Sequence, residues 1–388
     1  MLGNLTKYNY QTHFCWSKPT SGIMPYQEIK RMIKGGQIKC AIPFDSSQIQ
    51  PASLDLRLGR LAYQVRASFL PGLSAAVMDK IAQLDGGDPV LDLLKGAVLK
   101  RGCVYIIEIL ETLNLPHDVE ALANTKSSIG RLDILTRLIT DGCIAFDRID
   151  KGYKGRLFLE ILSLSFNVVV SYGSRLNQLR FQRGVSKISS KEVRKRHALG
   201  HFAKVDAGDI LISPRGTLLP CSIDLQGAGK GTIVGYKARK NTCVIDVDRK
   251  YTYPASKFWE QLYWDHGQLI LEKDEFYILG TREELAVPPD LAAEMLPFNN
   301  QFGEFRVHYA GFFDPGFGWA NGQAQGSRAV LEVRSYGAPF ALEHGQIVSC
   351  LDYRRIASGK TKIIYGTALK SNYQGQKMTL AKHFVIDI

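Results

Sequence analysis

Between Ala123 and Ile134 the chain reads ANTKSSIGRLDI, which places Lys126, the hydroxyls of Ser127 and Ser128, Gly130 and Arg131 in one short run. Small donors, a glycine and two cations at this spacing suit a polyanion, because backbone N–H groups and hydroxyls can wrap phosphate oxygens while the cations neutralise them. The order GxxxxGK[ST] of a P-loop is missing. A serine opening a helix is also an ordinary N-cap, so this run does not decide a function by itself. If a helix opens over 127–135, its N-terminus adds a favourable field for an anion.

A second run, DRIDKGYKGRLFLE, sets Asp147, Arg148 and Asp150 around a glycine-punctuated turn before a strand that is apolar from Leu157 to Leu164 except for Glu160. A carboxylate inside such a strand is costly unless it is paired or protonated. Desolvation favours the protonated carboxyl, as a proton shuttle near neutral pH requires. A structural pair with a core arginine explains the pattern equally well. Glu332, in RAVLEVRS, holds the matching place later in the chain, and its neighbours favour the structural role. The C-terminal LKSNYQGQKMTLAKHF, with Lys370, Tyr373, Gln376 and Lys377, has the polar make-up of a lid, although a frayed end looks the same.

Other chemistries fall away. His197 and His201 are four apart but stand in a charged connector without two further metal ligands. The H-x-E and P-C-x-x-C pattern of zinc deaminases is absent, as are G-x-S-x-G and G-x-G-x-x-G. The short basic run RKRH reads as solvated surface.

The elements that must position these groups are mostly strands. Short apolar runs rich in Val, Ile, Leu, Phe and Tyr recur between turn residues: CVYIIEIL, RLFLEILSLS, NVVVSY, DILISP, GTIVGY, CVIDVD, QLILEKDEFYIL, RAVLEVRS and KIIYG. One helix is expected in PYQEIKRMIKGG, with Pro25 near its start, Ile29, Met32 and Ile33 on one face and Gly35–Gly36 as the stop. The body is therefore mainly β, a sandwich or barrel.

The chain also matches itself. PASLDL at 51–56 parallels PCSIDL at 220–225, VYIIEILETLNLPHDVEA parallels FYILGTREELAVPPDLAA without a gap, and RIDKGYKGRLFLEILS parallels FFDPGFG…GSRAVLEVRS. The matches keep their order, which means a duplicated domain. We expect a catalytic copy over 1–185, a basic connector over 186–202, and a degenerate copy over 203–388 with a lid-like tail at 369–384. The copies differ where it matters: NTKSSIGR in the first becomes PFNNQFGE in the second, so the first copy is expected to carry the chemistry.

The composition agrees with an ordinary globular protein: 388 residues, 45% hydrophobic and 22% charged. A net charge of +12 favours an anionic partner. Seven scattered cysteines without a CxxC pair read as reduced thiols of a cytoplasmic protein. No run of 18 apolar residues suggests a membrane span, and the N-terminus has no secretory-signal pattern.

Together, QIQPASLDLRLG, KSSIGRL, RIDKGYKGRLFLE, GSRLNQLRF and the tail NYQGQ resemble the dCTP deaminase family, in a long form with two tandem copies of a dUTPase-like domain. The resemblance covers most of residues 40–384 and is strongest in copy one and the tail. It implies a distorted β-barrel or jelly-roll fold with a few short helices, and a homotrimer with nucleotide sites between subunits. It also implies zinc-independent hydrolysis of dCTP to dUTP and ammonia, supplying dUTP for dTTP synthesis. Glu160 would move protons between water, N3 and the leaving amine, Ser127 would orient the water, and Arg131 would fix the geometry. Lys126 and Ser128 would hold phosphate oxygens. Arg148 would bind substrate, Asp150 would accept from the 3′-hydroxyl, and Gln178 would face the ligand. Lys370, Tyr373, Gln376 and Lys377 would close the lid, supplied by copy two of the same or a neighbouring chain. Mg²⁺ would ride on the triphosphate without dedicated protein ligands, and the resemblance leaves room for feedback by dTTP. Neither nucleic acid nor membrane is expected as a partner.

Departures from the family pattern are the long stretch between Arg131 and Asp150, Lys126 in place of the usual arginine, and DKGY in copy one where a proline usually follows the aspartate. Copy two keeps that proline, as DPGF. Two rival readings are a bifunctional dCTP deaminase/dUTPase that releases dUMP and pyrophosphate, and a non-catalytic nucleotide sensor or nucleic-acid binder.

Overall fold

The structure, a computed structural model, describes residues 21–203, 211–213, 216–264, 268–297, 305–307, 311–366, 373, 375 and 378–387. In the first half, strands Leu58–Val65, Val104–Asn114, Lys154–Ser163 and Ile134–Ile139 lie side by side and antiparallel, with Leu91–Asp92 beyond Leu58–Val65. A facing sheet joins Gly22–Ile23, Asn177–Arg183, Val119–Thr125 and Arg148–Ile149. The second half repeats this plan. One sheet runs Trp259–Tyr263, Ile233–Ala238, Phe276–Leu285, Ser327–Ser335 and Phe305–Val307, and the other is built on Gly216–Ser222, Ile347–Arg355 and Leu291–Pro297. These are the two barrel-like, mainly β domains that the alternating apolar runs call for, since a strand with one apolar face must bury it against a second layer.

Helix α1 spans Tyr26–Lys34, with Pro25 at its N-cap, Gly35 at its C-cap, and Ile29 and Met32 buried. A shorter helix, α2 (Val77–Gln83), lies in the segment after Leu58–Val65. The cationic run forms only one turn, α3 (Ser127–Gly130), and the next strand starts at Ile134. A helix does open in the 127–135 segment but lasts one turn, and Asp133 turns the chain at φ +57°. In the connector, α4 (Ser190–Ala198) is capped by Ser189 and packs Val193 beside Phe202 in the second core. QLILEKDEFYIL splits at Asp274 (φ +60°) into strands Gln268–Leu271 and Phe276–Leu285. KIIYG is irregular rather than a strand.

The two halves do not stand apart. The main core of the first half takes in Tyr236, Ile245, Phe258, Trp259, Ile278, Val330, Leu380 and Phe384 from the second. Val168–Val169 pair in parallel with Ile245–Asp246, and Ile23 bridges to Ile356.

This contact sorts the faces of two equivalent strands. In Ser327–Ser335, Ala329, Leu331 and Val333 enter the second core while Val330 enters the first. Side chains two apart share a face, so Val330, Glu332 and Arg334 look toward copy one. In Lys154–Ser163, Leu157, Leu159 and Ile161 fill the main core, whereas Phe158 packs with Val77 and Ile81 of α2. Glu160 is therefore on the face that the chain's own α2 layer covers.

Candidate active site

A cavity of about 760 Å³ lies between the copies. One wall comes from copy one: Asp55, Lys126, Ser127, Ser128, Arg131, Arg175 and Gln178. The other comes from copy two: Phe312, Phe313, Asp314, Phe317, Val330 and Tyr365, with Lys250, Tyr373 and Lys382 closing over. The lining combines cations and hydroxyls (Lys126, Ser128, Arg175, Lys250, Lys382) with aromatic rings, of which Phe313 and Phe317 meet edge to face at 4.9 Å and Phe317 tilts against Tyr365 at 5.9 Å.

The 126–131 loop is tightly held. Lys126 N–H donates to the Leu176 carbonyl at 3.0 Å, and the Lys126 carbonyl accepts from Ile129 and Gly130. The Lys126 ammonium pairs with Asp55, on the short strand Leu54–Leu56 of the SLDL motif. Arg131 is buried, donates from Nη1 to the Thr379 carbonyl at 3.0 Å and its hydroxyl at 3.1 Å, and lies with Cζ 3.9 Å from the centre of the Tyr373 ring. The tail thus rests on the loop of its own chain. Lys382 N–H donates to the Tyr373 hydroxyl at 3.2 Å. Burial pulls the Lys382 ammonium down to about 8, assisted by Lys126 and Lys250.

From copy two, the half-buried Asp314 carboxylate accepts from the Ala52 N–H at 3.0 Å. Burial pushes this carboxyl up to about 7, with Asp55 adding to the effect and the Ala52 hydrogen bond, Arg180 and Lys126 opposing it. Glu332 is buried one strand repeat beyond the cavity-lining Val330 and on the same face. The Tyr373 phenol is pushed up by burial, opposed by Arg131 and raised further by Glu332.

The expected site residues divide. Lys126, Ser127, Ser128, Arg131, Gln178 and Tyr373 line this cavity together. Lys370, Gln376 and Lys377 lie outside the described residues. Glu160, Arg148 and Asp150 do not line it, contrary to the expectation that copy one supplies the proton-handling acid and the sugar contact beside its own loop. Glu160 accepts from Arg137 Nε at 2.7 Å, while Arg137 also donates to Ser68 at 2.9 Å and stacks on Phe146 at 4.1 Å. That is the structural pair that the strand pattern equally allowed. Arg148 and Asp150 form an exposed ion pair at 3.2 Å. Sequence reasoning gave Asp314, which lines the cavity, no role and read Glu332 as structural. The signal was present: the cationic loop is intact only in copy one, and the Asp-Pro-Gly turn only in copy two.

Comparison with known proteins decides the family. The sequence models of the 2′-deoxycytidine 5′-triphosphate deaminase N-terminal and C-terminal domains match residues 20–185 and 189–384. The chain belongs to the dCTP deaminase family. A crystal structure of 2′-deoxycytidine 5′-triphosphate deaminase from Agrobacterium tumefaciens is 48% identical and superposes with a TM-score of 0.81, covering 87% of this chain and 99% of that one. Curated relatives match roughly half as much of this chain. A "dCTP deaminase, dUMP-forming" of Dictyoglomus thermophilum is 30% identical over 190 residues, which is 47% of this chain and 91% of the relative. A "dCTP deaminase" of Haloarcula marismortui is 28% identical over 162 residues, 39% of this chain and 75% of the relative.

Proposed function

We propose that the chain hydrolyses dCTP to dUTP and ammonia in the cavity between its two copies, with the cationic loop of copy one acting on a nucleotide held by the turn and strand of copy two. The observation that carries this reading is that Ser127 and Arg131 line one cavity with Val330, whose strand face also bears the buried Glu332 two residues on. Deamination requires that water attack C4 of cytosine while N3 gains a proton, and that the amine then leave as ammonia. Glu332 takes the proton from water, passes it to N3, and delivers the proton of the second step to the departing amine. Ser127 orients the water and Arg131 holds the charge and geometry of the pair. Asp314 accepts from the 3′-hydroxyl, the role expected of Asp150 in copy one. Lys126, Ser128 and Lys382 take phosphate oxygens, and the aromatic wall of Phe312, Phe317 and Tyr365 faces the base and sugar.

Mg²⁺ enters as the counter-ion of the triphosphate. Among the described residues no three His, Cys, Asp or Glu are grouped to chelate a metal, and Asp55 is already engaged by Lys126. This donor set fits a cation that arrives with the phosphates. The assembly that this reading expects is a homotrimer in the cytoplasm. The six described cysteines are all free, which supports a reducing compartment. Among the described residues no helix is long and apolar enough to cross a membrane.

The deciding experiment separates the two equivalent glutamates. Glu332→Gln is expected to lower ammonia release by about 10³-fold or more, because general acid–base work contributes about 10²–10⁴-fold, while dCTP binding by calorimetry persists. Glu160→Gln is expected to keep turnover near wild type and to lose stability, since the Arg137 guanidinium is left without its carboxylate. Wild-type turnover in Glu332→Gln sinks the assignment. The same assay reads pyrophosphate: its release in step with ammonia would move the chain to the dUMP-forming branch.

A further inference from the structure

Two residues beyond Glu332 on the same strand face, Arg334 crosses to copy one. Its Nη2 donates to the Asp133 carboxylate and to the Ser165 hydroxyl, the latter at 3.1 Å, and the Ser165 hydroxyl donates in turn to Asp133 at 2.6 Å. The other arm, Nη1, donates to the Asp274 carbonyl at the end of the neighbouring strand. Both charged side chains are buried, Asp133 at 0% and Arg334 at 7% exposure. Asp133 stands two residues after Arg131, at φ +57°, with its N–H donated to the Gly130 carbonyl at 2.8 Å and its carbonyl accepting from Leu164 at 3.0 Å. The loop cannot move without Asp133, and the strand cannot slide without Arg334.

We propose that the Asp133–Arg334 pair is a positioning clasp that fixes Glu332 of copy two against Ser127 and Arg131 of copy one. The argument is one of reach. Strand residues i and i+2 are separated by about 7 Å, so the clasp sits one side chain away from the carboxylate it locates and two residues away from the arginine. A buried guanidinium–carboxylate pair has narrow geometric tolerance, and a misplacement of about 1 Å can cost on the order of 10² in rate. The two copies supply a control. The residue equivalent to Arg334 in copy one is Leu162, two beyond Glu160, and where copy one reads GRLDIL copy two reads GEFRVH. The pair of residue types needed for a clasp thus exists only across the cavity that unites the intact loop with the intact turn. This proposal rests on Glu332 being the proton-handling group.

The test uses the full chain and four variants: Arg334→Leu, which installs the copy-one residue, Arg334→Lys, Asp133→Asn, and Asp133→Asn combined with Arg334→Leu. Ammonia release gives kcat and KM, calorimetry gives dCTP affinity, and a thermal scan gives stability. A clasp predicts that Arg334→Leu lowers kcat by about 10–100-fold while dCTP affinity stays within about threefold of wild type. Lysine should restore part of kcat, and the double variant should be no worse than the poorer single one, because each breaks the same contact. The clasp is overturned if the variants lose thermal stability but keep kcat at temperatures well below unfolding, or if the two losses multiply. If Arg334→Leu does not fold, Asp133→Asn, which keeps side-chain shape, and Arg334→Lys, which keeps the charge, carry the same kcat-against-affinity comparison. Failure of the parent reading looks different: Glu332→Gln then remains active whatever the clasp variants do.

Discussion

Burial beside Lys126 and Lys250 draws the Lys382 ammonium down to about 8, so this cation discharges within the range in which an enzyme is commonly assayed. The sign follows directly. Below about pH 8 the group is protonated and attracts phosphate oxygens; above it the charge is lost and only a neutral amine remains. KM for dCTP should therefore rise as pH passes 8, with kcat less affected, since phosphate binding is the same in the ground and transition states of a reaction at C4. Lys382→Met should raise KM at pH 7 by about tenfold, the order expected for one hydrogen bond to a charged group, and should flatten the rise between pH 7 and 9. A Met variant whose KM climbs through pH 8 as steeply as wild type would assign the titration to another group. At the same scale the two equivalent glutamates show that residue type does not determine role. Glu160 has an arginine 2.7 Å away and α2 across its face, whereas Glu332 lies on the face that Val330 carries into the cavity.

Among the elements, the turn after Asp314 is the most constrained. Gly316 adopts φ +97°, and a Cβ there would stand 2.8 Å from Ile364 Cβ and 2.9 Å from the Tyr365 amide nitrogen. A side chain must push on the segment that carries the aromatic wall, and on Asp314 two residues back. Gly316→Ala should raise KM for dCTP by about tenfold or more, given the distance sensitivity of positioned groups. Its copy-one counterpart, Gly152, also has a positive φ of +74°, but its nearest neighbour is 3.5 Å away. Gly152→Ala should cost about 1 kcal/mol of stability through backbone strain and leave KM unchanged. Steady-state kinetics with a thermal scan on both variants checks the contrast, and equal effects on KM would remove the asymmetry between the copies. The strands and α1 were legible because alternation and capping are local: Ile29 and Met32 are buried as their spacing demands. KIIYG was misread because three apolar residues in a row suit a strand, yet Ile364 and Tyr365 are held by the Gly316 turn rather than by a ladder. The length of α3 was not legible, because the left-handed turn at Asp133 has no signature beyond the residue type itself.

At the scale of the whole molecule, the duplication could be read from the sequence but the way the copies face each other could not. Self-comparison aligns Glu160 with Glu332 and says nothing about which strand face meets which loop. That is set by the shared core, where Val330 and Ile278 pack among first-half residues. Within one chain the candidate cavity is lined by the loop of one copy and the turn of the other, and the tail of that chain rests on Arg131. This arrangement makes a prediction about mixtures. Ser127→Ala disables the loop half and Glu332→Gln the strand half. If each site belongs to one chain, every site in a mixed oligomer still carries one defect, and co-expressed Ser127→Ala and Glu332→Gln chains release no more ammonia than either variant alone. If loop and strand came from different chains, some sites in mixed oligomers would be intact and activity would return. Differently tagged copies purified in tandem guarantee that the oligomer assayed holds both variants, and a recovered rate in that sample would show that the working cavity is shared between chains.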